Sequence, residues 1–228
     1  MLKCESKILI CLPTYHSPLK WIARASQSIK NQTYDKFDCY VVKDGCRKSY
    51  NINETFKTCI ECKNCRQTTQ FFRNFCKKDK RFKYFILPIH LSGAGWGPRN
   101  FAILNTNHKY ITYLDDDNWY EKNHIELLHK AITSGNYDMS YTGTNVFDKD
   151  YKLIQQRIHN KPPEAGHIDT SEIMHTRAMI TKYGGWRYVK KCNDWDLISR
   201  WGQDVKWIHT NKVTLNFYVR EGCGIHRK

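Results

Sequence analysis

Tyr110-Ile111-Thr112-Tyr113-Leu114-Asp115-Asp116-Asp117-Asn118 is an apolar, β-rich run that breaks off in three consecutive carboxylates. Like charges at adjacent positions repel, so a strand that ends this way needs a reason. A divalent cation removes the repulsion, and hard oxygen ligands suit Mg²⁺ or Mn²⁺. The carboxyl ends of strands in parallel α/β sheets form the ligand crevice. Asp115 and Asp117 stand two apart and share a side if extended, so they could present oxygens to a metal holding a diphosphate. The plainer reading is a solvated acidic turn capping the helix that follows. The triplet alone does not separate the two.

Working outward, the chain has the punctuation of a nucleotide-binding α/β sheet. Residues 7–12 are a β-rich apolar run stopped by Pro13-Thr14-Tyr15. Leu19, Ile22, Ala23, Ser26 and Ile29 then recur at helical spacing, with Pro18 suited to a first turn. Residues 37–42 read as a second strand ending at Asp44-Gly45, which gives β-α-β with a loop after each strand. A strand at 84–87, a glycine-rich loop at 92–98 and a helix at 99–105 lead into the acidic run. Residues 119–133 read as an amphipathic helix with Ile125, Leu128 and Ile132 on one side. Beyond it, strands are expected at 138–146, 151–158, 205–208 and 213–219. Helices are expected at 176–183, stopped by Gly184-Gly185, and at 194–201.

The blocks come in a set order. They are Pro13-Thr14-Tyr15, Val41-Val42-Lys43-Asp44-Gly45, Gly95-Trp96-Gly97-Pro98-Arg99-Asn100, Leu114-Asp115-Asp116-Asp117, and Gly184-Gly185-Trp186 before Asn193-Asp194-Trp195-Asp196-Leu197 with Arg200. The series resembles the family-two nucleotide-sugar glycosyltransferases of the GT-A fold, a Rossmann-like mixed sheet flanked by helices. The resemblance implies that Pro13, Thr14 and Tyr15 line the base and ribose pocket. Asp44 would accept a hydrogen bond from the base, in this family usually uracil. Arg99 would lie near the nucleotide and diphosphate. Asp115 and Asp116 would approach the ribose and metal, with Asp115 and Asp117 as metal ligands and Asp117 the more direct. Asp194 matches the general base. Two departures stand out: Asn193 replaces the usual Glu before Asp194, and Pro98 stands where Ala is common. Many relatives also bring a late histidine to the site. His209 and His226 are the nearest candidates here and stay unassigned. His175 reads as core, Asp169 is left open, and Trp186 and Trp195 could each stack on a sugar or pack inside.

The chain has 228 residues, 40% hydrophobic and 14% aromatic, which excludes wholesale disorder and suits one domain over residues 1–228. No apolar run is long enough for a membrane span, and the first residues lack a secretory core, so a cytoplasmic location is expected. The formal charge is +15. Residues 46–83 hold eleven basic and three acidic side chains, and five of the ten cysteines. That stretch shows no sustained period and reads as a basic, Cys-rich insertion. Cys59, Cys62, Cys65 and Cys76 could hold a structural Zn²⁺, with Cys46 able to replace any of them; thiols without metal are the alternative.

The expected function is therefore an inverting, metal-dependent transfer of a sugar from a nucleotide-diphosphate donor, with UDP the first choice. The acceptor would be a glycan, lipid-linked or protein hydroxyl. The competing function is nucleic-acid binding through the basic knuckle, with Phe71, Phe72, Phe75, Phe82 and Tyr84 as stacking surfaces. A pure binder has no use for an acidic triplet near phosphates, so no stable nucleic-acid partner is expected. A nucleotidyltransferase would share the sheet and the carboxylates but not the Asp194 block.

Overall fold

The computed structural model describes residues 7–46, 63–189, 192–202 and 204–220. Strand β1 (Ile8–Thr14) is buried at every residue. Its sequence does not alternate because both faces of a central parallel strand are covered. Helix α1 (Leu19–Lys30) turns Ile22, Ala25, Ser26 and Ile29 inward at three- and four-residue spacing. Strand β2 (Phe37–Lys43) runs parallel to β1, with Ile8 opposite Phe37 and Thr14 opposite Lys43.

Parallel neighbours need a crossover, and helix α2 (Lys63–Lys78) provides it on the way to β3 (Phe82–Ile86). This corrects the sequence reading, which assigned all of residues 46–83 to an insertion without period. Residues 63–83 belong to the framework of the sheet. Phe72 is fully buried, and Phe71, Phe75 and Cys76 pack against the same core. The period was masked because Cys65 and Thr68 occupy inward positions where an apolar template expects Leu or Ile. The basic side chains Lys63, Arg66, Arg73, Lys77 and Lys78 face solvent.

The second half adds helix α3 (Trp96–Leu104), β4 (Tyr110–Tyr113), β5 (Trp119–Tyr120), helix α4 (His124–Thr133), β6 (Met139–Phe147), β7 (Leu153–Arg157), β8 (Ile173–Thr176), helix α5 (Arg177–Tyr183), helix α6 (Asn193–Ser199) and β9 (Trp207–Tyr218). The strands order as β3-β2-β1-β4-β8-β6-β9-β5, with β7 on the outer half of β6. Pairing is parallel from β3 to β4 and turns antiparallel at β8. Two core clusters cover the two faces of the sheet. The carboxyl ends of β1, β2 and β4 therefore open on one edge, at Thr14, Lys43 and Tyr113.

Two further expectations are revised. Trp119 and Tyr120 pair with β9 as a short strand, and the helix starts only at His124, with the predicted stripe Ile125, Leu128 and Ile132 buried. The strands expected at 205–208 and 213–219 are one long strand, β9, whose Asn211 takes a positive φ of 55°. No helix among the described residues is long and apolar enough to cross a membrane.

His175 on β8 is fully buried; its Nε2 meets the Tyr113 hydroxyl at 2.7 Å and its Nδ1 faces the Thr176 carbonyl at 2.9 Å. Burial pulls its pKa down to about 4. A depressed histidine contributes stability above its unfolded pKa of about 6.5 that is lost as pH falls toward 4, on the order of 3 kcal/mol. His175→Gln should flatten the fall in melting midpoint between about pH 6.5 and 4 relative to the parent chain. An unchanged slope would show that His175 does not carry it.

Candidate active site

The open edge of the sheet holds a cavity of about 540 Å³ lined by Pro13, Thr14, Tyr15, Asp44, Asp115, Asp116 and Asp117 among others. Three separate segments thus bring seven of the expected site residues to one place. Each arrives by the same device, a buried parallel strand that ends and hands the next residue to the crevice.

Asp44 follows β2 and is buried. Its Oδ1 accepts from the backbone N–H groups of Gly45 at 3.0 Å and Leu91 at 2.9 Å, and its Oδ2 from Ser92 at 3.1 Å. The carboxylate therefore pins the loop after β3. Gly45 permits this approach, since a Cβ there would lie 2.2 Å from the Ile89 carbonyl carbon. His90 Nδ1 lies 2.9 Å from Asp44 Oδ2, and its ring stacks on Tyr15 with centroids 4.0 Å apart. That stack forms one wall of the cavity. Sequence reading missed His90, because nothing local marks it.

The glycine-rich loop forms the floor. Ser92, Gly93, Ala94 and Gly95 all have positive φ, and Gly95, at 81°, caps α3. A side chain at Gly95 would be strained at that φ and would sit 3.1 Å from Pro13 Cβ. Arg99 in the first turn of α3 is buried and is not among the residues lining the cavity. Its guanidinium donates to the Ala94 carbonyl at 2.6 Å and to Asp115 Oδ1, and lies 4.5 Å from the Trp186 ring centroid. Arg99 thus ties the glycine loop to the acidic loop. Asn100 exchanges hydrogen bonds with the backbone of Trp186 at 2.8 and 2.9 Å. Trp186 is buried against Tyr113, so it is core and not a sugar platform.

The acidic loop is braced from both sides. The Asp115 N–H donates to Ser171 Oγ at 3.2 Å, and Ser171 sits in a 3-10 turn (Thr170–Glu172) capped reciprocally by Asp169 and Glu172. Asp169, left open by the sequence, is thus a capping residue. Asn118 Oδ1 accepts from the Tyr218 N–H at 3.0 Å, which fastens β9 alongside. Arg220, just past β9, donates to Asp117 Oδ2 and lies 3.2 Å from Asp116 Oδ1. Arg24 of α1 donates to the Asp117 carbonyl and stacks over Trp119 at 3.9 Å. Neither arginine was picked from the sequence. Each meets the triplet across roughly a hundred residues, and no local pattern announces such a contact.

The electrostatics follow from this crowding. Burial, then the neighbouring Asp117 charge, pushes the Asp116 carboxyl up to about 6, against the Thr14 and Ser17 hydroxyls and Arg220. Burial also raises Asp117, with Arg220 opposing and Asp115 adding. Asp116 Oδ2 is buried with no hydrogen-bond partner among the described residues. A cluster of hard oxygens with raised carboxyls and an orphaned oxygen fits a divalent cation well.

Asp194 occupies the first turn of α6 and does not line the cavity. Its Oδ1 accepts from the Trp195 N–H at 2.8 Å. The adjoining Asn193 side chain donates to the Gly93 carbonyl at 2.9 Å, so α6 is anchored to the glycine loop that forms the cavity floor. The departure from the expected Glu thus has a structural use. Arg200 holds the far side by donating to Asp196 and to the carbonyls of Tyr183, Gly184 and Gly185. His209 is buried beside Asn211 and is not among the cavity-lining residues, while His226 lies outside the described residues.

Cys65 and Cys76 of the expected zinc set cannot share an ion. Cys59 and Cys62 lie outside the described residues, and Cys65 and Cys76 stand eleven positions apart on α2. A helix rising 1.5 Å per residue puts them about 16 Å apart, too far to share an ion. The aromatic rings proposed for nucleic-acid stacking are turned inward. Phe72 stacks on Tyr84 at 4.9 Å, and Phe75 meets Phe82 edge-on at 4.8 Å.

Residues 9–190 match the profile of glycosyl transferase family 2, and the chain belongs to that family. It is similar to an uncharacterized glycosyltransferase of Rickettsia bellii, 29% identical over 152 residues, covering 66% of this chain and 19% of the relative. The chain thus spans about a fifth of the length of that protein. Among solved structures it resembles Staphylococcus aureus TarS 1-349 in complex with UDP-GlcNAc, with TM-score 0.71 and 16% identity over 97% of this chain and 61% of that one. It also resembles the mannosyltransferase PcManGT of Pyrobaculum calidifontis in complex with GDP-Man and Mn²⁺, with TM-score 0.69 and 11% identity over 98% and 60%. The fold is the GT-A fold of those enzymes.

Proposed function

We propose that this chain transfers a sugar from a nucleoside-diphosphate donor, UDP-linked, to an acceptor hydroxyl with inversion. The observation that carries the reading is the cavity itself, where the Asp44 and Tyr15–His90 wall faces a braced acidic loop across one continuous space. The family membership and the donor-bound neighbours support it. Tyr15 and Asp44 would hold the base and Thr14 the ribose side. Asp115 and Asp117 would hold Mn²⁺ or Mg²⁺, with Asp116 behind them. Bound there, the divalent ion would offset charge developing on the departing diphosphate. Arg99 keeps Asp115 aimed, and Asp194 takes the proton of the attacking hydroxyl through an oxocarbenium-like displacement. The acceptor is a glycan, lipid-linked or protein hydroxyl.

The test is thermal stability against UDP, GDP, dTDP and CDP, each with Mn²⁺ and with EDTA. A ligand at a hundred times its dissociation constant adds about 2.7 kcal/mol, which is readily seen as a higher midpoint. UDP should raise the midpoint with Mn²⁺ and do so far less with EDTA. No rise with any diphosphate would sink the donor assignment.

A further inference from the structure

We propose that His16, Cys46 and Cys65 form a structural zinc site immediately behind the cavity wall. The three come from separate places: the loop after β1, the loop after β2 and the first turn of α2. Their donor atoms all lie within 4.8 Å of one another. Both sulfurs face the same ring nitrogen, with His16 Nε2 at 3.5 Å from Cys46 Sγ and 3.9 Å from Cys65 Sγ. Tetrahedral zinc, with Zn–S about 2.3 Å and Zn–N about 2.0–2.1 Å, sets nitrogen and sulfur about 3.6 Å apart. The two nitrogen–sulfur spacings lie close to that separation.

Chemistry points the same way. Cys46 and Cys65 are 8% and 4% exposed, and His16 is half-buried. Two thiolates cancel the charge of Zn²⁺, so the loaded site is neutral and suits burial. Soft sulfur with imidazole selects zinc over the Mg²⁺ or Mn²⁺ that the all-oxygen acidic loop favours. The surroundings hold the ligands in place. Asn64 Nδ2 donates to the His16 carbonyl at 2.7 Å, which fastens α2 to the same loop. The Tyr15 ring lies between the two histidines, 4.5 Å from His16 and 4.0 Å from His90. An ion here would staple the loops that carry Thr14, Tyr15 and Asp44 to the crossover helix.

The experiment has two parts. Metal analysis of the full chain, purified without chelator, should find about one zinc per chain. Cys46→Ser and Cys65→Ser should lose it, while Cys76→Ser, three turns away on the same helix, keeps it. Separately, Co²⁺ added to the unaltered, metal-stripped and reduced chain should give thiolate-to-cobalt charge-transfer absorption. That signal needs no variant to fold, and an all-oxygen site cannot produce it. The proposal is overturned if the unaltered chain carries no zinc and shows no such absorption. It is equally overturned if the absorption survives unchanged in Cys65→Ser.

Discussion

Asp194→Asn should bind UDP with Mn²⁺ within about twofold of the parent chain and lose transfer by about 10²- to 10⁴-fold, the usual worth of a positioned general base. Asn keeps the shape of the side chain and can still accept from the Trp195 N–H, so α6 stays in place. Its anchor belongs to the neighbouring residue, through the Asn193 bond to Gly93. Binding and chemistry are therefore separable at this position. The measurement is initial rate of sugar transfer alongside a UDP titration of the same preparation. Undiminished turnover would move the base elsewhere, and a parallel collapse of UDP binding would mark Asp194 as part of the donor pocket.

Asp117→Asn should abolish the Mn²⁺-dependent share of UDP binding, a loss of about 3 kcal/mol or more than 10²-fold, while leaving the metal-free melting midpoint little changed. The asymmetry comes from the crowding of carboxylates. Asp117 is raised by burial and by Asp115, and it in turn raises Asp116. Removing its charge relieves that repulsion and so compensates for the lost contact with Arg220. The same repulsion is what a divalent ion neutralises, and without Asp117 the loop offers it too little charge. UDP titration with and without Mn²⁺ decides the matter. Retention of the full Mn²⁺ effect would assign the metal to Asp115 and Asp116 instead.

The parallel half was legible because each buried strand is a short apolar run that stops at a chemically pointed residue. β1 ends before Tyr15, β2 before Asp44, and β4 one residue short of Asp115, and the structure gathers all three around one cavity. Helix α2 was illegible because cysteine and threonine fill its buried stripe. The roles of His16 and Arg220 were hidden for another reason. Their contacts are made by topology, between loops that the order of strands brings together, and such pairs leave no period or spacing behind. Arg99 was visible as part of a block, but its bonds to the glycine loop and to Asp115 were not.

Strand β9 comes last in sequence among the described strands and yet lies between β6 and β5, inside the sheet. Until it inserts, Asn118 has no strand to fasten to, and the Asp116 and Asp117 carboxylates lack Arg220. The nascent chain can form its parallel half early from near neighbours, but the carboxylates wait for residues 216–220. Insertion of β9 and the pairing of Asp116 and Asp117 with Arg220 are thus one event in synthesis. A chain stopped short of Arg220 would leave Asp116 and Asp117 without their guanidinium, while Asp115 kept Arg99.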